Sequence, residues 1–223
     1  RVISFYNKRI WIIGASSGIG EACAHAFLSH GAKVAISARR IEKLEKIQKR
    51  WPADQCLSIK ADAQEHEALL TAHATIENEW GGIDLMLYVA GIYEPMRADN
   101  FDLSKAKQMI NTNIVGAMSA CSVVLPRMLE NKQGGIAIVS SVAGYSGLPQ
   151  ALVYGPTKAA IINYCETLYY DLKSKGINVY MINPGFVETE ATAKNNFEMP
   201  ALISASKAAE EILDGIQAGQ FDI

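Results

Sequence analysis

Strand-like and helix-like segments alternate along the whole chain, and this alternation restricts the fold more than any other feature of the sequence. Ile10 to Ile13 is a short apolar run ending in a glycine-rich turn, and helical spacing follows from Ile19 to His30. Lys33 to Ser37 reads as a second strand, Ile41 to Arg50 as an amphipathic helix carrying Leu44 and Ile47, and Leu57 to Lys60 as a third strand. From Glu65 to Trp80, residues Leu69, Leu70, Ala72, Ile76 and Trp80 recur every three or four positions, the period of a helix with one buried face. The second half repeats the scheme. Strands are expected at Ile83 to Val89, Gly135 to Val139 and Asn178 to Ile182, and helices at Leu103 to Glu130, Val153 to Ser174 and Ser204 to Ala218. Phe221 to Ile223 reads as the opening of a seventh strand.

Strands separated by helices are joined by right-handed crossovers, which make them parallel and cover both faces of the sheet. The expected architecture is α/β: one doubly wound domain over residues 1–223, with a mainly parallel seven-stranded sheet and helices on both faces. A chain of 223 residues is long enough to bury such a sheet, and no linker or low-complexity stretch divides it. A formal net charge of -2 and the lack of a polybasic run give no reason to expect nucleic acid as a partner. No apolar run approaches the ~20 residues of a membrane span. The first residues carry no signal pattern, although they start at Arg1 without a methionine. Cys23, Cys56, Cys121 and Cys165 are widely spaced and read as core residues of a reducing compartment, so a cytoplasmic location is expected. His25, His30, His66 and His73 show no ligand spacing, and no metal is expected.

The first turn is Gly14-Ala15-Ser16-Ser17-Gly18-Ile19-Gly20. Glycines between a strand and a helix permit a tight turn and a close approach of backbone to a pyrophosphate, which the N–H groups and dipole of the helix then hold. This makes the chain a Rossmann-type candidate for a dinucleotide, against the plainer reading of an ordinary glycine-rich turn. An acidic residue at the end of the second strand would select NAD through the ribose 2′-OH, but Ala38 holds that position and Arg39 and Arg40 follow. No carboxylate repels a 2′-phosphate, and the planar fork of Arg39 suits one, so the expected cofactor is NADP(H).

The spacing Gly-x-x-x-Gly-x-Gly resembles that of the short-chain dehydrogenase/reductase family. The resemblance continues in order through Asp62, Ala90-Gly91, Asn113-x-x-Gly116, Ser141, Tyr154-x-x-x-Lys158 and Pro184-Gly185. It implies cofactor contacts from Gly14, Ser16, Ser17, Gly18, Ile19, Gly20, Asp62, Ala90, Gly91, Lys158, Pro184, Val187 and Thr189. It also implies a homodimer or homotetramer built on the two long helices. Two departures stand out. Ile13 replaces a common threonine, and Tyr88-Val89 replaces a pair of asparagines, leaving Tyr88 without an evident role.

Tyr154 and Lys158 are four residues apart and so share a helical face, and Pro156 between them suits a helix's first turn. Alone, such a pair is more often an unremarkable aromatic and a solvated lysine. Here a lysine ammonium, an oxidised nicotinamide and a helix N-terminus would together favour the phenolate of a residue whose ordinary pKa is ~10. Tyr154 is therefore the expected proton donor and acceptor for a carbonyl or alcohol substrate. The family's thirteen-residue spacing selects Ser141 over Ser140 as the group that orients the substrate oxygen. The resemblance makes Asn113 the residue that holds a water beside Lys158. Residues 189–218 would form the substrate-side loop and last helix, with Phe197, Met199, Pro200 and Leu202 near Tyr93, Tyr145 and Leu148. Two other readings stand beside this oxidoreductase: a non-catalytic NADP-binding redox sensor, and a methyl transferase with a nucleoside cofactor.

Overall fold

The computed structural model describes residues 4–16, 18–140, 150–184 and 204–223. Six strands, β1 (Arg9–Ile13), β2 (Lys33–Ala38), β3 (Cys56–Lys60), β4 (Leu85–Tyr88), β5 (Gly134–Val139) and β6 (Ile177–Ile182), form one parallel sheet in the order β3-β2-β1-β4-β5-β6. The helices are α1 (Gly18–Ser29), α2 (Ile41–Gln48), α3 (His66–Trp80), α4 (Leu103–Ile110), α5 (Gly116–Asn131), α6 (Tyr154–Leu172) and α7 (Ala205–Gln217).

Alternate residues of each strand feed two separate cores. Ile10, Ile12, Val34, Ile36, Leu85 and Leu87 pack with α1, α2 and α7 on one face. Trp11, Ile13, Ala35, Met86 and Tyr88 pack with α3, α5 and α6 on the other. Burial on both faces explains why these strands read as unbroken apolar runs rather than alternating ones. The fully buried Trp11 still satisfies its indole N–H, which donates to Ser37 Oγ at 3.0 Å. Cys23, Cys56, Cys121 and Cys165 are free and buried. Burial pushes the thiols of Cys23, Cys121 and Cys165 up to about 12, so they remain neutral.

Three expectations change. Among the described residues the sheet has six strands, not seven. Phe221–Ile223 lies beside β6, with Met181 N–H donating to Phe221 O at 2.6 Å and Ile223 N–H to Met181 O at 2.9 Å, but the match is a single bridge. The helix expected from Leu103 to Glu130 is interrupted by a π-helical turn, Asn111–Val115, between α4 and α5. The combined helix Leu103–Asn131 is long and apolar enough to cross a membrane by length and composition only. Half of its apolar window is buried, and Ala117, Ala120, Cys121, Val124 and Met128 belong to the second core, as in a helix packed on a sheet. His73 does have a carboxylate neighbour, Glu77 Oε1 at 3.5 Å from Nε2, and Glu77 also faces Arg127. Among the described residues no group of three or more potential ligands gathers around a metal position.

Candidate active site

The strand order reverses between β1 and β4, since the chain winds outward through β2 and β3 and then returns to β1's other side. Open α/β sheets bind ligands in the crevice at the carboxyl ends of such a pair. Here backbone hydrogen bonds tie the end of β1 to the segment after β4 and the turn after β1 to the end of β2. Ile13 O accepts from Val89 N–H at 2.8 Å and Ala90 N–H at 3.0 Å, and Ser37 O accepts from Gly14 N–H at 2.8 Å and Ala15 N–H at 3.1 Å. Ile13 and Val89 can therefore be apolar, because main-chain bonds make the junction between β1 and the segment after β4.

Gly14 has φ +96°, and a Cβ there would lie 2.7 Å from Ala90 Cα. A Cβ on Gly20 would lie 3.0 Å from Ala15 Cα, so α1 packs directly on the turn that precedes it. Of the residues expected to hold a cofactor, Gly14, Ser16, Gly18, Arg39, Asp62, Ala90 and Gly91 line one open cleft of about 1250 Å³. Ile19 and Gly20 lie buried in α1 beneath it. Arg39 follows β2 and is exposed, while Ala38 at the selecting position is buried. Pro184 lies just after β6 and is half-buried. Ser17, Ser141, Tyr145, Leu148, Val187, Thr189, Phe197, Met199, Pro200 and Leu202 lie outside the described residues.

Tyr154 is the first residue of α6 and is 1% exposed. Pro156 falls in the first turn, where its missing N–H removes no helical bond. Lys158 follows one turn on and is half-buried, and burial lowers its ammonium below the usual lysine range. Neither Tyr154 nor Lys158 walls the large cleft. Tyr93 does, and the Tyr154 ring meets its ring edge-on at a centroid distance of 5.4 Å and an angle of 89°. Ser140 is buried and donates to Asn183 Oδ1 at 2.9 Å, and Asn183 Nδ2 donates to Asp222 Oδ1 at 3.2 Å. That hydroxyl is committed to holding the C-terminal segment against β6.

Asn113 lies in the π turn and is 6% exposed. Its Oδ1 accepts from Ile92 N–H at 2.9 Å, and its Nδ2 donates to Ile92 O at 3.0 Å and, more weakly, to Thr157 Oγ1 at 3.5 Å. Thr157 Oγ1 in turn donates to Tyr154 O at 2.7 Å. Asn113 thus fastens the segment after β4 to the start of α6. Thr157 went unnoticed in the sequence, although its position between Tyr154 and Lys158 puts it within the same motif. The role of Tyr88 was equally hidden: its phenol donates to the main-chain carbonyl of Thr112 in the π turn.

The family model for short chain dehydrogenase matches residues 8–200. An uncharacterized oxidoreductase of Myxococcus xanthus (strain DK1622) is 34% identical over 214 residues, covering 95% of this chain and 85% of its own. One of Mycobacterium tuberculosis (strain ATCC 25618 / H37Rv) is 31% identical over 85% of this chain and 77% of its own. Among solved structures, a short-chain dehydrogenase from Streptomyces avermitilis superposes with a TM-score of 0.84 at 23% identity, over 97% of this chain and 87% of that one. The crystal structure of gox2181 gives 0.88 at 22% identity, over 98% and 93%, so both support the fold.

Proposed function

The chain belongs to the short-chain dehydrogenase family, oxidoreductases that use a nicotinamide cofactor, and from that premise we propose that it transfers hydride between NADP(H) and a carbonyl or alcohol substrate with Tyr154 as proton donor and acceptor. The observation that carries the reading is the start of α6. Tyr154 occupies its first position, Lys158 stands one turn on, and Tyr93 links the phenol's ring to the cleft.

The fit of the cofactor is supported by the cradle. The backbone of Gly14 and Ala90 meets where a side chain would intrude, and the N-terminus of α1 opens onto the cleft through Gly18. Phosphates belong there because the helix dipole and free N–H groups favour negative charge. Asp62 at the cleft wall suits the adenine side, and Arg39, with no carboxylate at Ala38, favours a 2′-phosphate. When bound, the reduced nicotinamide supplies hydride to the carbonyl carbon.

The protein's own residues manage the proton and the orientation. The Tyr154 hydroxyl protonates the substrate oxygen in reduction and accepts its proton in oxidation. Lys158, held partly out of water, favours the phenolate that this leaves. Ser141 orients the substrate oxygen. Both polar groups of the Asn113 side chain are engaged by Ile92 and Thr157, which holds the residue in place between the segment after β4 and the start of α6. Val115, Met118 and Leu129 expose apolar surface along the π turn and α5, and Tyr170 does so on α6, which favours a homo-oligomer through these helices.

The test is NADPH binding by fluorescence, followed by turnover of an aldehyde, ketone and quinone panel by wild type and Tyr154→Phe. The variant is expected to bind NADPH as wild type does and to lose at least ~100-fold in kcat, the range for a removed acid–base group. Wild-type turnover by Tyr154→Phe overturns the assignment, and NADPH binding without turnover by wild type favours the redox sensor.

A further inference from the structure

An α-helix running through residues 111–116 would pair the N–H of Gly116 with the carbonyl of Thr112, four residues back. In this chain that N–H instead bonds the carbonyl of Asn111, five back, which is the π turn. Thr112 O therefore loses its α-helical donor in the interior, where an unpaired carbonyl is costly. The Tyr88 phenol, rising from the last position of β4, donates to that carbonyl. Tyr88 is 1% exposed, and burial first and the negative charge of Asp62 second push its hydroxyl well above the ordinary tyrosine range, so it stays protonated and remains a donor.

Gly116 completes the arrangement. A Cβ there would run into the Tyr88 hydroxyl and come within 3.1 Å of Ala63 O. The phenol needs that space to reach Thr112. Adjacent to Thr112 is Asn113, which clamps Ile92 on one side and Thr157 on the other, and Thr157 bonds the Tyr154 carbonyl. A continuous path of hydrogen bonds and one peptide link runs from the end of β4 to the first residue of α6.

We infer that Tyr88, with Gly116 as its steric counterpart, is a positioning residue: it holds the π turn open at Thr112 and so sets Asn113 and the reach of Tyr154. The inference rests on the dehydrogenase reading only for its kinetic consequence; the stapling itself stands on the geometry. Tyr88 touches no substrate or cofactor in this account and acts through Asn113.

The experiment compares wild type, Tyr88→Phe, Gly116→Ala and the double variant in the full chain. Three readouts are taken: thermal midpoint, exchange of the Asn113 side-chain amide protons by NMR, and kcat, KM and NADPH affinity. Tyr88→Phe keeps the ring and the fold. It is expected to speed exchange of the Asn113 amide at least tenfold and to lower kcat about tenfold, with NADPH affinity and carbonyl KM within twofold of wild type. Gly116→Ala is expected to lower the thermal midpoint far more in wild type than in the Tyr88→Phe background, where the hydroxyl no longer fills the space. Equal effects of Gly116→Ala in both backgrounds overturn the steric pairing. Unchanged Asn113 exchange and unchanged kcat in Tyr88→Phe overturn the positioning role. Absence of wild-type turnover instead defeats the dehydrogenase reading, while the thermal and exchange readouts still decide the staple.

Discussion

Replacing Asn113 by aspartate changes one donor into an acceptor without changing shape, and its consequence depends on pH. The Asn113 amide gives N–H to Ile92 O at 3.0 Å and takes N–H from the same residue at 2.9 Å. An aspartate keeps the second bond. Its ionised form, however, faces the Ile92 carbonyl with a second acceptor, and it does so at a site that is 6% exposed. Burial and the opposed carbonyl both favour the protonated acid, whose O–H restores the lost donor. The folded-state pKa is therefore raised above the unfolded ~3.9, and the native state binds more protons than the unfolded state between the two values. Stability in that window falls as pH rises, by at most about 1.4 kcal/mol per unit. A carboxyl whose folded pKa is raised by about two units costs about 2.2 kcal/mol at pH 7 relative to pH 4. Urea unfolding from pH 4 to 8 measures it, with Asn113→Ala as the non-titrating control. That control should lose about 2–4 kcal/mol at every pH, from the buried donor and acceptor of Ile92 left without partners. A flat difference between Asn113→Asp and wild type across this range would refute the clamp.

Three further outcomes are expected. Gly14→Ala forces a side chain onto a backbone at φ +96° and into contact with Ala90. It should cost about 1–3 kcal/mol and weaken NADPH at least ~10-fold in a fluorescence titration; native stability and affinity would show that the cradle is looser than described. Arg39→Asp should move the ratio of kcat/KM for NADPH over NADH about 30-fold toward NADH, the equivalent of about 2 kcal/mol for a charge-assisted contact, and an unchanged ratio removes Arg39 from the 2′-phosphate. Asp84 accepts from Arg9 Nε and NH2, each at 3.0 Å, and from Arg9 N–H at 2.8 Å. Burial acts to raise its carboxyl, but the bonds from Arg9 outweigh burial and hold it below the usual range. The stabilisation is present above the unfolded pKa and lost as pH falls through the lower folded one. Asp84→Asn should therefore cost about 2 kcal/mol at pH 7 and little at pH 2, by urea midpoints; an equal gap at both would deny the ion pair its share.

What depends on local pattern can be read along the chain. Apolar runs of strand length separated by helical periods could build only a parallel sheet with two cores, and each strand's alternate residues duly divide between them. The glycine turn, the bare Ala38 with Arg39 after it, and Tyr154 with Pro156 and Lys158 were legible because turn geometry and helical facing are set by neighbours a few residues apart. The π turn is a product of tertiary structure: it inserts one residue into a helix that reads as continuous from Leu103 to Glu130. The same holds for Tyr88, whose partner carbonyl is 24 residues away, and for Asn113, whose partners lie 21 and 44 residues away. Such bonds depend on which strand end meets which helix turn, and that is fixed only when the sheet assembles.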